Sequence, residues 1–157
     1  MTIEKNPLDT VYDVAIKTPL EKAQKISANT GVNLFLKRED LQDVHSFKIR
    51  GAYNKIAGLS DEEKSNGVIA ASAGNHAQGV ALSAKKLNIN ATIVMPKTTP
   101  SIKVEAVKGF GAKVVLHGDS FSDSYTKAVE IMNETGAVFV HPFDDLDVIA
   151  GQGTVGS

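Results

Sequence analysis

Residues 67–79 read GVIAASAGNHAQG. Val68-Ile69-Ala70-Ala71 is apolar at every position instead of alternate ones, which is how a strand covered by helices on both faces reads. The run ends at Ser72 in a turn of small residues. Asn75 is a plausible N-cap for a helix predicted to run through Leu87.

The pattern recurs along the chain. Compact apolar runs occupy residues 67–72, 91–96, 112–118 and 137–142, so their starts lie 24, 21 and 25 residues apart. Each interval has room for one helix and two short turns, the dimensions of a βαβ unit. Thr99-Pro100 predicts the start of a helix that ends at Gly109, and Ser120 or Ser122 the start of one that ends at Gly136. Val114-Val115-Leu116, like the first run, reads as a strand buried between two helix layers. The expected architecture is α/β, an open and mostly parallel sheet with helices on both faces. Ligands settle at the carboxyl ends of such strands, so Ser72, Ala73, Gly74, Asn75 and His76 fall on the ligand edge.

Upstream, Ser46–Ala52 reads SFKIRGA. Ile49, Ala52, Tyr53, Ile56 and Ala57 form one apolar stripe at helical spacing, with Ser46 as candidate cap and Gly58 as the end. Lys48 therefore sits in the first turn, where exposed amides act like roughly half a positive charge and disfavour an ammonium. A first turn built for stability would carry an acid. The placement suits an amine that must lose its proton to attack a carbonyl, because positive potential lowers a lysine pKa and only neutral nitrogen is nucleophilic. A solvated lysine that happens to fall in a first turn is the alternative. Arg50 projects away from Lys48 and reads as structural.

The remaining segments are less informative. Val11, Val14, Ala15 and Ile16 suggest a short helix or strand within residues 1–17. After Thr18-Pro19-Leu20 a helix is predicted through Ala23–Ala28, stopping at Gly31. Asn33–Lys37 reads as a buried strand, and Ser60 with Glu63 as a capping box for a turn over 61–65.

The chain has 157 residues, a formal net charge of -1 and no cysteine. That length allows one domain and part of another. The charge gives no pull toward nucleic acid or anionic membrane. Without cysteine there are no disulfides, thiolate nucleophiles or cysteine-ligated metals. His45, His117 and His141 show no metal-site spacing, so no metal is expected. No apolar stretch suggests a signal peptide or a membrane span, and a cytoplasmic location is the default expectation. Gly151-Gln152-Gly153-Thr154-Val155-Gly156 matches G-x-G-x-x-G formally, but the helix and acid that this fingerprint requires do not follow it. Gly109-Phe110-Gly111 follows a predicted helix and reads as a turn.

SFKIRGA, with Lys37, Arg38 and Glu39 before it and SAGNHAQG (Ser72–Gly79) after it, resembles the threonine dehydratase (threonine ammonia-lyase) family of pyridoxal-phosphate enzymes. That family lies in the superfamily typified by the tryptophan synthase β chain. The resemblance runs from Thr18-Pro19-Leu20 to Gly151-Gln152-Gly153-Thr154. It implies fold type II, with Lys48 carrying pyridoxal 5′-phosphate and the released lysine acting as base on the Cα–H of an amino-acid substrate. It also implies that Phe47 sets its ring against the cofactor, although by position alone Phe47 reads as a core-facing aromatic. Asn75 would donate to the cofactor's 3′ oxygen, and the Ser72–His76 loop would hold the substrate carboxylate. His76 alone reads as solvent-facing or as a structural donor, not a proton carrier.

The implied reaction converts L-threonine to 2-oxobutanoate and ammonia, which in biosynthetic members commits threonine to isoleucine. His45 and the stretch His141-Pro142-Phe143-Asp144-Asp145 look more like biosynthetic threonine dehydratases than like serine racemase, the nearest rival. A non-catalytic α/β module that binds a small anion is the rival of another class. By the family pattern, residues 1–50 belong to a large cofactor-binding domain that is incomplete here and residues 51–157 to a small one. The phosphate-binding glycine loop and the partner of the pyridine nitrogen would lie after residue 157. This stretch alone is accordingly expected to bind cofactor poorly, and the full-length parent is expected to be a homo-oligomer.

Overall fold

A computed structural model describes residues 6–157. In chain order the elements are α1 (Pro7–Val11), β1 (Leu20–Lys22), α2 (Gln24–Thr30), β2 (Phe35–Lys37), α3 (Lys48–Ala57), α4 (Asp61–Asn66), β3 (Val68–Ala71), α5 (Asn75–Lys86), β4 (Ala91–Met95), α6 (Ser101–Gly109), β5 (Lys113–Leu116), α7 (Phe121–Thr135), β6 (Val138–Phe139) and α8 (Leu146–Gly153). Short 3-10 turns cover Glu39–Leu41 and Thr154–Gly156.

The four predicted apolar runs are the four strands of one sheet, ordered β5-β4-β3-β6 and parallel throughout. Alternate residues of the central strands face opposite layers. Val68, Ala70, Ile93 and Met95 pack with Ala77, Val80, Ala81 and Ala84 of α5 and with Val104 and Val107 of α6. Ile69, Ala71 and Val94 pack with Ala128 of α7 on the other face. Helices therefore cover both faces, and β3 is buried at all four positions.

Chain order fixes where a crevice must open. From β3 the sheet grows through β4 to β5, and β6 then returns to the far side of β3. The strand order reverses between β3 and β6, and ligand crevices in open parallel sheets form at the carboxyl ends beside such a reversal.

Several expectations are corrected. Asn33–Lys37 is no buried strand: β2 pairs antiparallel with β1 in a separate two-stranded ribbon, and Phe35 is 52% exposed. A two-stranded ribbon has no second layer to bury it. The β1 strand leaves no mark in the sequence, since Leu20–Lys22 has no periodic signal of its own. At the sheet edge, β5 is only partly covered, with Leu116 exposed. Its apolar run reads like β3 because composition does not report how many neighbours a strand has.

The caps divide. Ser60 and Ser120 each form a capping box, with Glu63 and Asp123 respectively. Gly31 and Gly136 end α2 and α7 in the left-handed conformation that glycine adopts without cost. Ser46 does not cap α3: Phe47 holds the N-cap position in helical geometry, and the buried Ser46 hydroxyl has no partner among the described residues. Asn75 is the first helical residue of α5 and not its cap, which is Gly74. Pro100 precedes α6 without any side-chain cap, and the buried Thr99 hydroxyl has no partner among the described residues.

Candidate active site

Behind Lys48 lies a buried polar frame. Arg50 is 0% exposed and grips Glu39 with two parallel bonds, Nε to Oε2 and Nη2 to Oε1, each 2.8 Å. Its Nη1 donates to the Thr154 hydroxyl at 3.1 Å, and the Tyr12 ring lies over the guanidinium at 5.4 Å. Thr18 donates to Glu39 at 2.6 Å, while the Gln42 amide both accepts from and donates to the backbone of Ile16 at 2.8 Å. Burial pushes the Glu39 carboxyl up, but bonds from Arg50, Thr18 and Gln42 outweigh it and leave the carboxyl below its usual value. Arg50 is structural, as its direction on the helix suggested. It pins the N-terminal segment to the helix that begins with Lys48.

Lys48 is the first residue of α3, and no acid stands in that turn. Its half-buried amine donates to the carbonyl of Pro142 at 2.9 Å and lies 5.3 Å from the Phe47 ring centroid. Among the described residues no carboxylate is within ion-pair distance. Burial therefore acts unopposed and lowers the amine below the ordinary lysine value. Phe47 is 41% exposed, so it is not a core aromatic. Its ring stands beside the amine, partly open to solvent.

Helix α5 crosses the start of α3 closely. A Cβ added at Gly79 would sit 3.0 Å from the Lys48 carbonyl oxygen, so only glycine permits this approach without movement. The crossing brings the loop after β3 to the Lys48 end of α3. In that loop the Gly74 amide donates to the Ser72 hydroxyl at 3.3 Å. The amides of Ala73, Asn75 and His76 have no protein acceptor among the described residues. The Asn75 side chain is exposed at the helix mouth. Unengaged amides at the start of a 12-residue helix suit an anion.

His76 turns inward. It is 3% exposed and its Nε2 lies 2.9 Å from the Val140 carbonyl, so Nε2–H donates there. Burial, with smaller contributions from Lys48 and His141, pushes its pKa down to about 4 despite that bond. The ring is neutral near pH 7, and the buried Nδ1 has no partner among the described residues. It is a structural donor, one of the two readings its sequence position offered.

The residues that follow β6 complete the site. Val140 accepts from His76 and Pro142 accepts from Lys48, so two consecutive outward steps of one chain segment meet both motifs. Sequence reasoning missed these carbonyls because a backbone acceptor leaves no mark on residue type. It also missed Gln152, whose Oε1 accepts from the Gly51 amide at 3.3 Å and serves α3 as a remote cap. Gly151 and Gly153 lie inside α8, so the glycine-rich stretch is helix and not a phosphate loop.

A half-buried amine without a carboxylate, an aromatic ring beside it and a loop of unengaged amides fit an aldehyde cofactor and a carboxylate substrate. A family model described as pyridoxal-phosphate-dependent enzyme matches residues 11–157. The chain belongs to that family. Among curated relatives, the biosynthetic L-threonine dehydratase of Pasteurella multocida is 60% identical over 145 residues, 92% of this chain and 28% of that protein. The threonine dehydratase of Nicotiana attenuata is 58% identical over 147 residues, 94% of this chain and 24% of its own length. The chain thus spans about a quarter of the curated relatives it matches.

Solved structures agree on the fold. The processed form of threonine deaminase isoform 2 from Solanum lycopersicum matches with a TM-score of 0.92 and 55% identity, covering 96% of this chain and 42% of that one. Maize serine racemase matches with a TM-score of 0.91 and 40% identity, covering 95% and 45%. Pyridoxal-phosphate fold type II is thereby established for the described part.

Proposed function

We propose that the full-length protein deaminates L-threonine to 2-oxobutanoate and ammonia, with pyridoxal 5′-phosphate held on Lys48. One observation carries the reading: the Lys48 amine, with no carboxylate partner among the described residues, meets the segment after β6 where the strand order reverses. High identity to threonine dehydratases supports the choice of substrate.

Pyridoxal phosphate supplies, when bound, an electron-withdrawing ring that makes the Cα–H of an amino acid acidic. The chain's own residues do the rest. Lys48 Nζ, lowered by burial below the ordinary lysine value, would take the proton from Cα. Departure of the β-hydroxyl as water and a later hydrolysis balance to 2-oxobutanoate and ammonia. The amides of the Ser72–His76 loop would hold the substrate carboxylate, and Asn75 and Phe47 would help to hold the cofactor beside Lys48. His76, neutral and bonded to Val140, holds the loop against β6 and moves no proton.

The division near residue 50 into part of a large domain and a small domain belongs to the same proposal, and the separation of the β1–β2 ribbon from the main sheet supports it. So do a homo-oligomeric parent, a place in isoleucine biosynthesis and a cytoplasmic location. Two Solanum lycopersicum relatives are named as chloroplastic. Among the described residues no helix is long and apolar enough to cross a membrane.

The test is borohydride reduction of the full-length protein with pyridoxal phosphate, followed by peptide mass mapping, alongside ketoacid release from threonine. A pyridoxyl adduct on Lys48 and 2-oxobutanoate are expected. A colourless K48R protein with full activity would overturn the reading. The resemblance to maize serine racemase favours a second reading, racemization of serine, which D-serine formation without pyruvate would reveal.

A further inference from the structure

Pro142 has no N–H to anchor it, yet its carbonyl is the partner of Lys48. What holds the carbonyl in place is the preceding side chain. His141 Nδ1 accepts from the Asp144 amide at 2.7 Å and from the Phe143 amide at 3.3 Å, which closes the turn around Pro142. The imidazole is itself fixed between two rings, edge-on to Phe143 at 4.6 Å and tilted to Phe139 at 6.2 Å. Beyond the turn, Asp145 caps α8 and pairs with Lys55 of α3 at 2.9 Å. The segment 141–145 is thus tied to both ends of the helix that carries Lys48.

We propose that His141 is a positioning residue for Lys48: its unprotonated Nδ1 folds the 141–144 turn, and the turn presents the Pro142 carbonyl that fixes where the Lys48 amine rests. The inference rests on reading Lys48 as the cofactor-holding amine. Nδ1 can accept two amides only through its lone pair, so the proton of the neutral ring belongs on Nε2. An asparagine at this position would offer Oδ1 at the same distance from the backbone and form the same kind of side-chain turn. A phenylalanine would keep the ring contacts and lose the acceptor. Without the acceptor the turn opens, the amine loses its fixed partner, and capture of an aldehyde at Lys48 slows.

The experiment uses the full-length protein, freed of cofactor, and follows the rate at which pyridoxal phosphate is trapped on Lys48 by borohydride, read by mass spectrometry. H141N is expected within about threefold of the wild type, and H141F slower by about tenfold or more, the scale of a misplaced reacting group. H141F as fast as wild type, or H141N as slow as H141F, overturns the proposal. Should H141F fail to fold, amide exchange in the unaltered protein decides: the Asp144 N–H is expected to be protected, and exchange at the free-peptide rate overturns the proposal. Absence of any adduct on Lys48 in the unaltered protein would count against the proposed function instead, and exchange at Asp144 would still decide the turn.

Discussion

Lys48 Nζ and the carbonyl oxygen of Pro142 stand 2.9 Å apart although 94 residues separate them along the chain. The parallel sheet makes the meeting possible. Every crossover returns the chain to the same edge, so the segment after β6 arrives beside the segment after β3, over the start of α3.

K48A in the full-length protein is expected to abolish the borohydride-trapped adduct and to lower ketoacid release by about 10²–10⁴-fold, the usual contribution of a positioned proton-transfer group. Peptide mapping and a coupled ketoacid assay read both. Retention of the adduct at another lysine would show that the amine was misassigned.

His76 predicts a pH dependence of stability. Its pKa falls from the ordinary 6.5 to about 4 on folding, so between these values the unfolded chain binds a proton that the native chain does not. Stability from this residue is complete above about pH 6.5 and is lost as pH falls toward 4, by up to about 3 kcal/mol. Denaturant midpoints of the wild type and H76Q at pH 7 and pH 5 check this. Identical slopes against pH in both would refute it.

The Glu39–Arg50 pair should show the asymmetry of buried ions. R50M leaves the Glu39 carboxylate buried without its bidentate partner and is expected to cost about 3–5 kcal/mol, whereas E39M/R50M should recover most of that loss. Because the folded Glu39 carboxyl titrates below its usual range, its contribution is present above about pH 4.3 and disappears as pH falls through the folded value. Urea melts of the two variants are the measurement, and a double variant worse than the single one would contradict the argument.

G151A tests why the glycine-rich stretch near the end of the chain is glycine. A Cβ there would lie 2.6 Å from the Arg50 carbonyl and 2.7 Å from the Gly51 Cα, both backbone atoms that cannot swing aside. The expected cost is about 1–3 kcal/mol of stability. A neutral or stabilising G151A, by thermal melting, would mean that α3 and α8 do not pack this closely.

Much of this architecture is legible in the residues alone. Val68–Ala71, apolar at every position, identifies a doubly covered strand, and Ser60/Glu63 marks a cap correctly because both partners lie within one turn. Lys48 in an acid-free first turn is likewise a local fact. The failures share one cause. Leu116 and Phe35 look as apolar as core residues, but whether a strand is central, at an edge or in a separate ribbon depends on partners that the strand's own residues do not name. Ser46 and Asn75 have the right side chains for caps and do not act as caps, because the packing of α3 and α5 starts each helix elsewhere.

The amino-acid order by itself therefore settled the parallel α/β class, the helix that begins with the lysine and the glycine turn that follows β3, since each depends on periodicity and near neighbours. Tertiary structure alone decided that Pro142 is the lysine's partner, that His76 faces inward to Val140, that Gln152 caps α3 from 101 residues away and that Arg50 closes on Glu39. Those contacts use backbone carbonyls or distant side chains, and they come into existence only when chain closure brings the strand ends together.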